Sequence, residues 1–154
     1  MSIELTVNGR AVSVAAAGDT PLLDVLRNHL DLKGSRYGCG LEQCGSCMVL
    51  IDGKAEYSCA REISTVAGTR IETVESLAAH PLRQAFLDEQ AGQCGYCLSG
   101  ILMSAKALLD RNPNPSRADI VAALDNHLCR CGAHPRIVRA VEKAAAVARN
   151  GARS

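Results

Sequence analysis

Eight cysteines carry the chemistry that this sequence suggests, and their spacing divides them into two groups of four. Cys39, Cys44 and Cys47 follow the pattern C-x4-C-x2-C, and eleven residues separate Cys47 from Cys59. This is the spacing of a plant-type iron–sulfur loop, in which four thiolates hold a 2Fe-2S cluster. The second group has the rhythm C-x2-C, then 31 residues, then C-x-C, and consists of Cys94, Cys97, Cys129 and Cys131. Each group supplies enough thiolates for one cluster.

Glycines surround the first group in a way that suits a cluster-binding loop. Gly38, Gly40 and Gly45 lie within eight residues of one another. A chain that wraps a cluster needs positive φ angles and close backbone approach, and glycine supplies both. An oxidised four-thiolate 2Fe-2S cluster is negatively charged, so inward backbone N–H groups would stabilise it and tune its potential.

Other uses of cysteine account for the pattern less completely. Zinc also accepts four thiolates, and C-x2-C pairs are common in zinc sites, so zinc is the main alternative, chiefly for the second group. A thiol–disulfide role for the two C-x-x-C motifs uses only four of the eight cysteines. Covalent haem is excluded because Met48 and Leu98, rather than histidine, follow these motifs.

Charged and imidazole side chains flank the second group. His127 and His134 could ligate iron as in a Rieske centre, but four thiolates are available without them. Arg130 and Arg136 are either solvated or placed to offset cluster charge and meet an anionic partner. The ligands that we predict are therefore the eight cysteines, and no residue of this chain is predicted to do substrate chemistry.

Composition limits the class of protein. The chain has 154 residues, of which 47% are hydrophobic, enough for one ordinary domain or two small ones. A formal net charge of +1 without a run of basic residues argues against nucleic acid. The first residues lack the pattern of a signal peptide, and no apolar run is long enough to span a membrane. We expect a protein of the reducing cytoplasm, where thiols stay free to bind metal, with any membrane association made through partners.

The elements that position the first group form a small α+β unit over residues 1–76. Alternating apolar residues on both sides of Asn8-Gly9 predict a β-hairpin, and a helical stripe follows Pro21. Strands predicted at residues 48–51 and 54–58 form a second hairpin, which returns Cys59 to the first three ligands, and residues 70–74 could form a last strand. These elements predict a β-grasp, plant-type ferredoxin fold.

From residue 77 to residue 154 the periodicity is helical. Four apolar stripes predict four helices joined by short connections, and Ser116 with Asp119 forms a capping-box pattern before the third. Cys94 and Cys97 lie at the entry of the second helix, and the C-x-C pair lies between the third and fourth. A four-helix bundle can bring these two turns to one end, where they could hold a cluster together.

Three motifs, taken together, resemble the small iron–sulfur subunit of the molybdenum hydroxylases, the family of xanthine dehydrogenase and aldehyde oxidoreductase. They are GCGLEQCGSC at residues 38–47, QCGYC at residues 93–97 and LCRCG at residues 128–132. The resemblance extends over nearly the whole chain. It implies two 2Fe-2S clusters that carry single electrons from a molybdopterin cofactor, expected as the cytosine dinucleotide, in a large partner subunit.

The resemblance also implies roles for individual residues. The second cluster would be proximal to the molybdenum site and the first cluster distal. In the family the second cysteine of the C-x-C pair and the glutamine before C-G-x-C reach the pterin, which implies these roles for Cys131 and Gln93. The acceptor of the electrons would be a c-type cytochrome or a flavoprotein, present as a further subunit.

Two departures from the commonest family pattern bear on the substrate. Many members read C-T-P-G and C-R-C-T-G-Y where this chain has CLSG at residues 97–100 and CRCGAH at residues 129–134. This variant is similar to small subunits of bacterial nicotinate and isoquinoline oxidoreductases, which implies an N-heteroaromatic substrate for the complex. Aldehyde-oxidising and carbon monoxide dehydrogenase-type complexes are alternatives, as are a free-standing ferredoxin and a zinc-binding interaction module.

Overall fold

The computed structural model describes residues 2–152 and begins with a five-stranded mixed sheet. Its strands are β1 (Ser2–Val7), β2 (Arg10–Ala15), β3 (Val49–Ile51), β4 (Lys54–Glu56) and β5 (Arg70–Glu72). They lie in the order β2-β1-β5-β3-β4, with β1 parallel to β5 and the other neighbouring pairs antiparallel. Short 3-10 turns at Ile63–Val66 and Val74–Leu77 flank β5. The predicted α+β architecture of the N-terminal part is confirmed.

The first hairpin forms as its sequence predicts. Asn8 and Gly9 both have positive φ angles, +49° and +80°, as a type I′ turn requires. Side chains alternate along β1, so that Ile3, Leu5 and Val7 are buried on one face of the sheet. This face of the sheet forms one side of the N-terminal hydrophobic core.

A helical segment covers that face. It begins as α1 (Leu22–Asp24) and widens at once into a π-helical turn, Val25–His29, in which the N–H of Leu30 bonds the carbonyl of Val25. The sequence predicts an ordinary α-helix here, and the structure differs by this wider turn. Leu22, Val25 and Leu26 are fully buried against the sheet, so the predicted packing of the stripe is confirmed.

Four helices form the second part of the chain, as predicted. They are α2 (Pro81–Asp88), α3 (Leu98–Arg111), α4 (Arg117–Leu124) and α5 (His134–Ala152). The predicted capping box is present, since the Ser116 hydroxyl accepts from the N–H of Asp119 and the Asp119 carboxylate accepts from the N–H of Ser116. The core of these helices includes fully buried Leu82, Ile101, Ile120, Ile137 and Val141.

Helix α3 joins the two parts. Met103 and Ala107 on α3 pack against Leu50 of β3 in a small apolar cluster of their own. The predicted division of the chain between residues 76 and 77 falls within the Val74–Leu77 turn, and it stays a prediction. None of the helices in residues 2–152 has the length and apolar character needed to cross a bilayer.

Candidate functional site

Cys39, Cys44 and Cys47 lie in the loop between the π-helical turn and β3, and Cys59 follows β4. Gly40 and Gly45 have φ angles of +69° and +82°, which let the backbone turn inward. Three N–H groups point at the Cys39 sulfur at 3.3 Å, those of Leu41, Gln43 and Cys44. The predicted arrangement of inward N–H donors is therefore present around this thiol.

These donors change the acidity of the loop thiols. The N–H of Leu41 is the largest influence that lowers the pKa of Cys39 to about 7; burial opposes it, and the other N–H donors add to it. Cys59 is buried, and burial raises its pKa to about 11. The thiolate form is thus favoured at Cys39, whereas the neutral thiol is favoured at buried Cys59.

The second cysteine group is assembled from two turns of the helical part. Cys97 is the residue that caps the N-terminus of α3, and burial raises its pKa to about 12. The N–H of Tyr96, followed by the thiol of Cys131, lowers the pKa of exposed Cys94. Burial alone would raise the pKa of Cys129, but the N–H of Ala133, 3.5 Å from its sulfur, and the Cys97 thiol outweigh burial and lower it.

Both groups share one arrangement, in which thiols meet in pairs. In each group the thiols influence one another's pKa in pairs: Cys44 affects Cys39 and Cys47 affects Cys59 in the first group, and Cys131 affects Cys94 and Cys129 affects Cys97 in the second. Within residues 2–152, no three His, Cys, Asp or Glu side chains converge as they would on a single metal ion. All eight predicted ligands are brought into their two groups, and pairs of thiols are the donors that the two irons of a 2Fe-2S cluster accept.

Gln93 lies at the exposed edge of the second group. Its side-chain amide nitrogen donates to the carbonyl oxygen of Cys131 at 3.2 Å. The two residues that the family resemblance assigns to the pterin are therefore neighbours on one surface, although 38 positions separate them.

The two histidines near the second group serve the fold. His127 is buried, and its Nε2 lies 2.7 Å from the hydroxyl of Ser104 on α3. Burial, and then the charge of His134, lower the pKa of His127 to about 4, so it is neutral at neutral pH. His134 donates from Nε2 to the carbonyl of His127 at 3.2 Å. Both rings thus use their Nε2 atoms on protein groups.

The loop of the first group packs directly on the helices that carry the second. The N–H of Leu128 donates to the carbonyl of Cys44 at 3.0 Å, and the hydroxyl of Ser99 donates to the carbonyl of Ser46 at 3.3 Å. Gly100 makes this approach possible, because a Cβ there would lie 1.9 Å from the carbonyl oxygen of Gly45. The two groups are therefore held side by side.

A second connection lies on the exposed side. The phenol of Tyr96, between Cys94 and Cys97, donates to the backbone carbonyl of Tyr37. The guanidinium of Arg36 lies over the Tyr96 ring, 5.1 Å from its centroid. Sequence reasoning missed this bridge and the contact at Gly100. The local signal for the contact at Gly100 was a glycine inside a predicted helix. The pattern of cysteines gave no signal for the bridge between Tyr96 and Tyr37.

Comparison with known proteins agrees with this geometry. Residues 5–78 match the family model of a 2Fe-2S iron-sulfur cluster binding domain, and residues 71–142 match that of a 2Fe-2S binding domain. One subunit of the nicotinate dehydrogenase of Pseudomonas putida is 55% identical over 148 residues, which cover 94% of each chain. The alpha subunit of the isoquinoline 1-oxidoreductase of Brevundimonas diminuta is 49% identical over 93% of this chain and 97% of its own.

A solved structure shows the same fold in a longer chain. The aldehyde oxidoreductase of Desulfovibrio desulfuricans superposes with a TM-score of 0.93 at 40% sequence identity. The match covers 97% of this chain but only 17% of the oxidoreductase. The present chain therefore spans less than a fifth of the length of that protein.

Proposed function

Because the chain belongs to the small iron–sulfur subunits of the molybdenum hydroxylase family, we propose that it carries single electrons from a large molybdopterin-binding subunit to an electron acceptor. The observation that carries this proposal is the arrangement of two sets of paired thiols, joined by the contact between Leu128 and Cys44. Electron transfer needs centres that are close together, and this hydrogen bond joins the two segments that carry the thiols.

The proposed ligands are the two cysteine groups in full. Cys39, Cys44, Cys47 and Cys59 would hold one 2Fe-2S cluster, and Cys94, Cys97, Cys129 and Cys131 would hold the other. The thiol pairs support two-iron clusters over single zinc ions, because four ligands shared by two irons divide two and two. When bound, such a cluster accepts and releases one electron at a time.

The chain's own groups would set the potential of each centre. N–H donors to sulfur and contact with water stabilise the reduced, more negative state, so Leu41, Gln43 and Cys44 would raise the potential at the Cys39 side. Burial of Cys47 and Cys59 acts in the opposite direction. The protein contributes position and electrostatics, while bond-making groups belong to the partner.

The partner would meet this chain at the second cluster. Gln93 and Cys131 share an exposed surface there, which suits a contact with the pterin of the large subunit, expected as the cytosine dinucleotide form. The second cluster would then be proximal and the first distal. A c-type cytochrome or a flavoprotein would take the electrons from the distal side. Eight thiols without disulfides fit the reducing cytoplasm, where we place the complex.

We propose an N-heteroaromatic compound such as nicotinate as the substrate of the complex. The support is the similarity to subunits named for nicotinate and isoquinoline oxidation, which extends over nearly the full length of both. The test is to purify the complex with its partners and compare oxidation of nicotinate with that of an aromatic aldehyde. Turnover of the aldehyde alone would reject the heteroaromatic substrate and leave the electron-transfer role standing.

Metal analysis tests the electron-transfer role itself. Protein isolated without oxygen should contain about four iron atoms and four sulfides per chain, with visible absorption bands. After reduction, paramagnetic resonance should show two distinct centres. Colourless protein that contains zinc would refute the proposal and favour an interaction module.

A further inference from the structure

An open groove of about 580 Å³ lies next to the second cysteine group. It runs between the C-terminal end of α2 and the start of α3, and the loop that leads to Cys94 forms one end. Phe86, Leu98 and Leu102 contribute apolar surface to it. Leu87 also lines it, and 59% of the surface of this residue is exposed. The groove therefore offers apolar surface that no other part of residues 2–152 covers.

Charge distinguishes this groove from the neighbouring surface. Its lining includes two exposed arginines, Arg83 and Arg136, and no acidic residue. Within residues 2–152, neither guanidinium lies within 4.0 Å of a carboxylate, and Arg136 makes only a 3.5 Å contact with the carbonyl of Gln90. The groove thus combines apolar surface with unpaired positive charge.

The adjoining cations of α5 behave differently. Arg139 pairs with Glu89 at 3.5 Å, and Lys143 pairs with Asp88 at 2.9 Å. Both acids directly follow Leu87 in the sequence, at the end of α2. The acidic residues Asp88 and Glu89 are therefore already paired with basic residues of α5, whereas Arg83 and Arg136 are not paired with a carboxylate of residues 2–152.

The position of the groove indicates which molecule would fill it. Gln93 lines it and also donates to the carbonyl of Cys131, so any chain that fills the groove also covers the exposed edge of the second cysteine group. We propose that an apolar segment of the large molybdopterin-binding subunit, carrying at least one carboxylate, occupies the groove and pairs with Arg83 and Arg136. This inference rests on the proposed function, because it identifies how the proposed partner is held.

Charge and apolar variants of the assembled complex test it. Leu87→Asp places a negative charge on the apolar surface of the groove. The double change Arg83→Glu with Arg136→Glu replaces the two positive charges of the groove with negative ones. Each should weaken the association with the large subunit by about tenfold or more. The matched controls are Val121→Asp, which alters a 51% exposed valine on α4, and Arg10→Glu on β2, and both should assemble like the unchanged protein.

Salt dependence separates the proposed charge pairing from a general loss of structure. Association of the unchanged chain should weaken as ionic strength rises, and the doubly reversed variant should lose this dependence. Both paramagnetic signals should persist in every variant, which shows that the fold and the clusters are intact. If Leu87→Asp lacks them, Leu87→Asn replaces it. Hydrogen exchange at residues 83–93 should also slow when the unchanged chain enters the complex.

The outcomes distinguish the inference from the proposed function. If the unchanged chain purifies with the large subunit, but the groove variants assemble equally well, the inference is overturned and the proposed function stands. If the unchanged chain purifies without any molybdopterin-binding protein, the proposed function fails and the inference with it. If the chain forms a dimer that Leu87→Asp disrupts, the occupant is a second copy, which also overturns the inference.

Discussion

The backbone N–H of Leu128 donates a 3.0 Å hydrogen bond to the carbonyl oxygen of Cys44. Leu128 directly precedes Cys129, so one hydrogen bond and a short run of covalent bonds connect a thiol of the first group to a thiol of the second. The two groups belong to parts of the chain that have separate hydrophobic cores. Their spacing is therefore decided where the two parts touch, and that contact is open to direct tests.

Substitution of single ligands should remove the two centres separately. Cys131→Ser should damage the second cluster and leave the paramagnetic signal of the first unchanged, because the two groups lie on different elements. Cys59→Ser is the matched change, and it should remove the first signal and spare the second. Spectra of the reduced protein provide the measurement. Loss of both signals in either variant would contradict the assignment of independent sites.

Gly100→Ala should destabilise the contact between the two parts. The new Cβ would lie 1.9 Å from the carbonyl oxygen of Gly45, and a backbone atom cannot move away without shifting the loop. We expect a loss of about 1–3 kcal/mol or more in stability, typical of overpacking, measured as a lower midpoint of thermal unfolding of the cluster-loaded protein.

Gly151→Ala is the control for this change. Outside its own helix backbone and neighbours, no atom of residues 2–152 lies within 4 Å of a Cβ built at this position of α5. The substitution should therefore not lower the unfolding midpoint. Equal midpoints for Gly100→Ala and the unchanged protein would show that the loop and α3 are not in the close contact described here.

Tyr96→Phe removes the hydroxyl that bonds the Tyr37 carbonyl and leaves the ring beneath Arg36. Because this bond links the two ligand loops on their exposed side, its loss should lower stability by roughly 0.5–1 kcal/mol. It should also change the magnetic interaction between the two reduced centres. Tyr37→Phe is the control, since it keeps the backbone carbonyl that accepts the bond. Identical spectra for both variants would argue against a role of the Tyr96 hydroxyl in positioning.

Ser104→Ala tests the buried imidazole beside the first loop. Nδ1 of His127 already lacks a hydrogen-bond partner within residues 2–152, and this change removes the partner of Nε2 as well. An unpaired buried polar atom costs about 1–3 kcal/mol, so the thermal unfolding midpoint should fall. Ser13→Ala, on the exposed side of β2, should change stability by no more than about 0.5 kcal/mol. A Ser104→Ala protein as stable as this control would contradict the prediction.

Much of the fold could be predicted because its signals are local. The hairpin turn at Asn8-Gly9, the capping box of Ser116 with Asp119 and the apolar stripes of the four helices each depend on residues a few positions apart. The π-helical turn at Val25–His29 was missed, since the same stripe of apolar residues suits an α-helix equally well. In the wider turn Val25 and Leu26 are fully buried against the sheet, as the stripe predicts.

The division of the eight thiols into two groups on different elements is evident from the sequence, because cysteine spacing along the chain is a local property. Other relationships depend on packing: which thiols meet, that Gln93 donates to Cys131, that Gly100 allows the first loop to approach, and that Arg83 and Arg136 line a groove without a carboxylate. These relationships join residues tens of positions apart. They depend on how helices and sheet pack against each other, and no pattern within a short stretch of sequence records that packing.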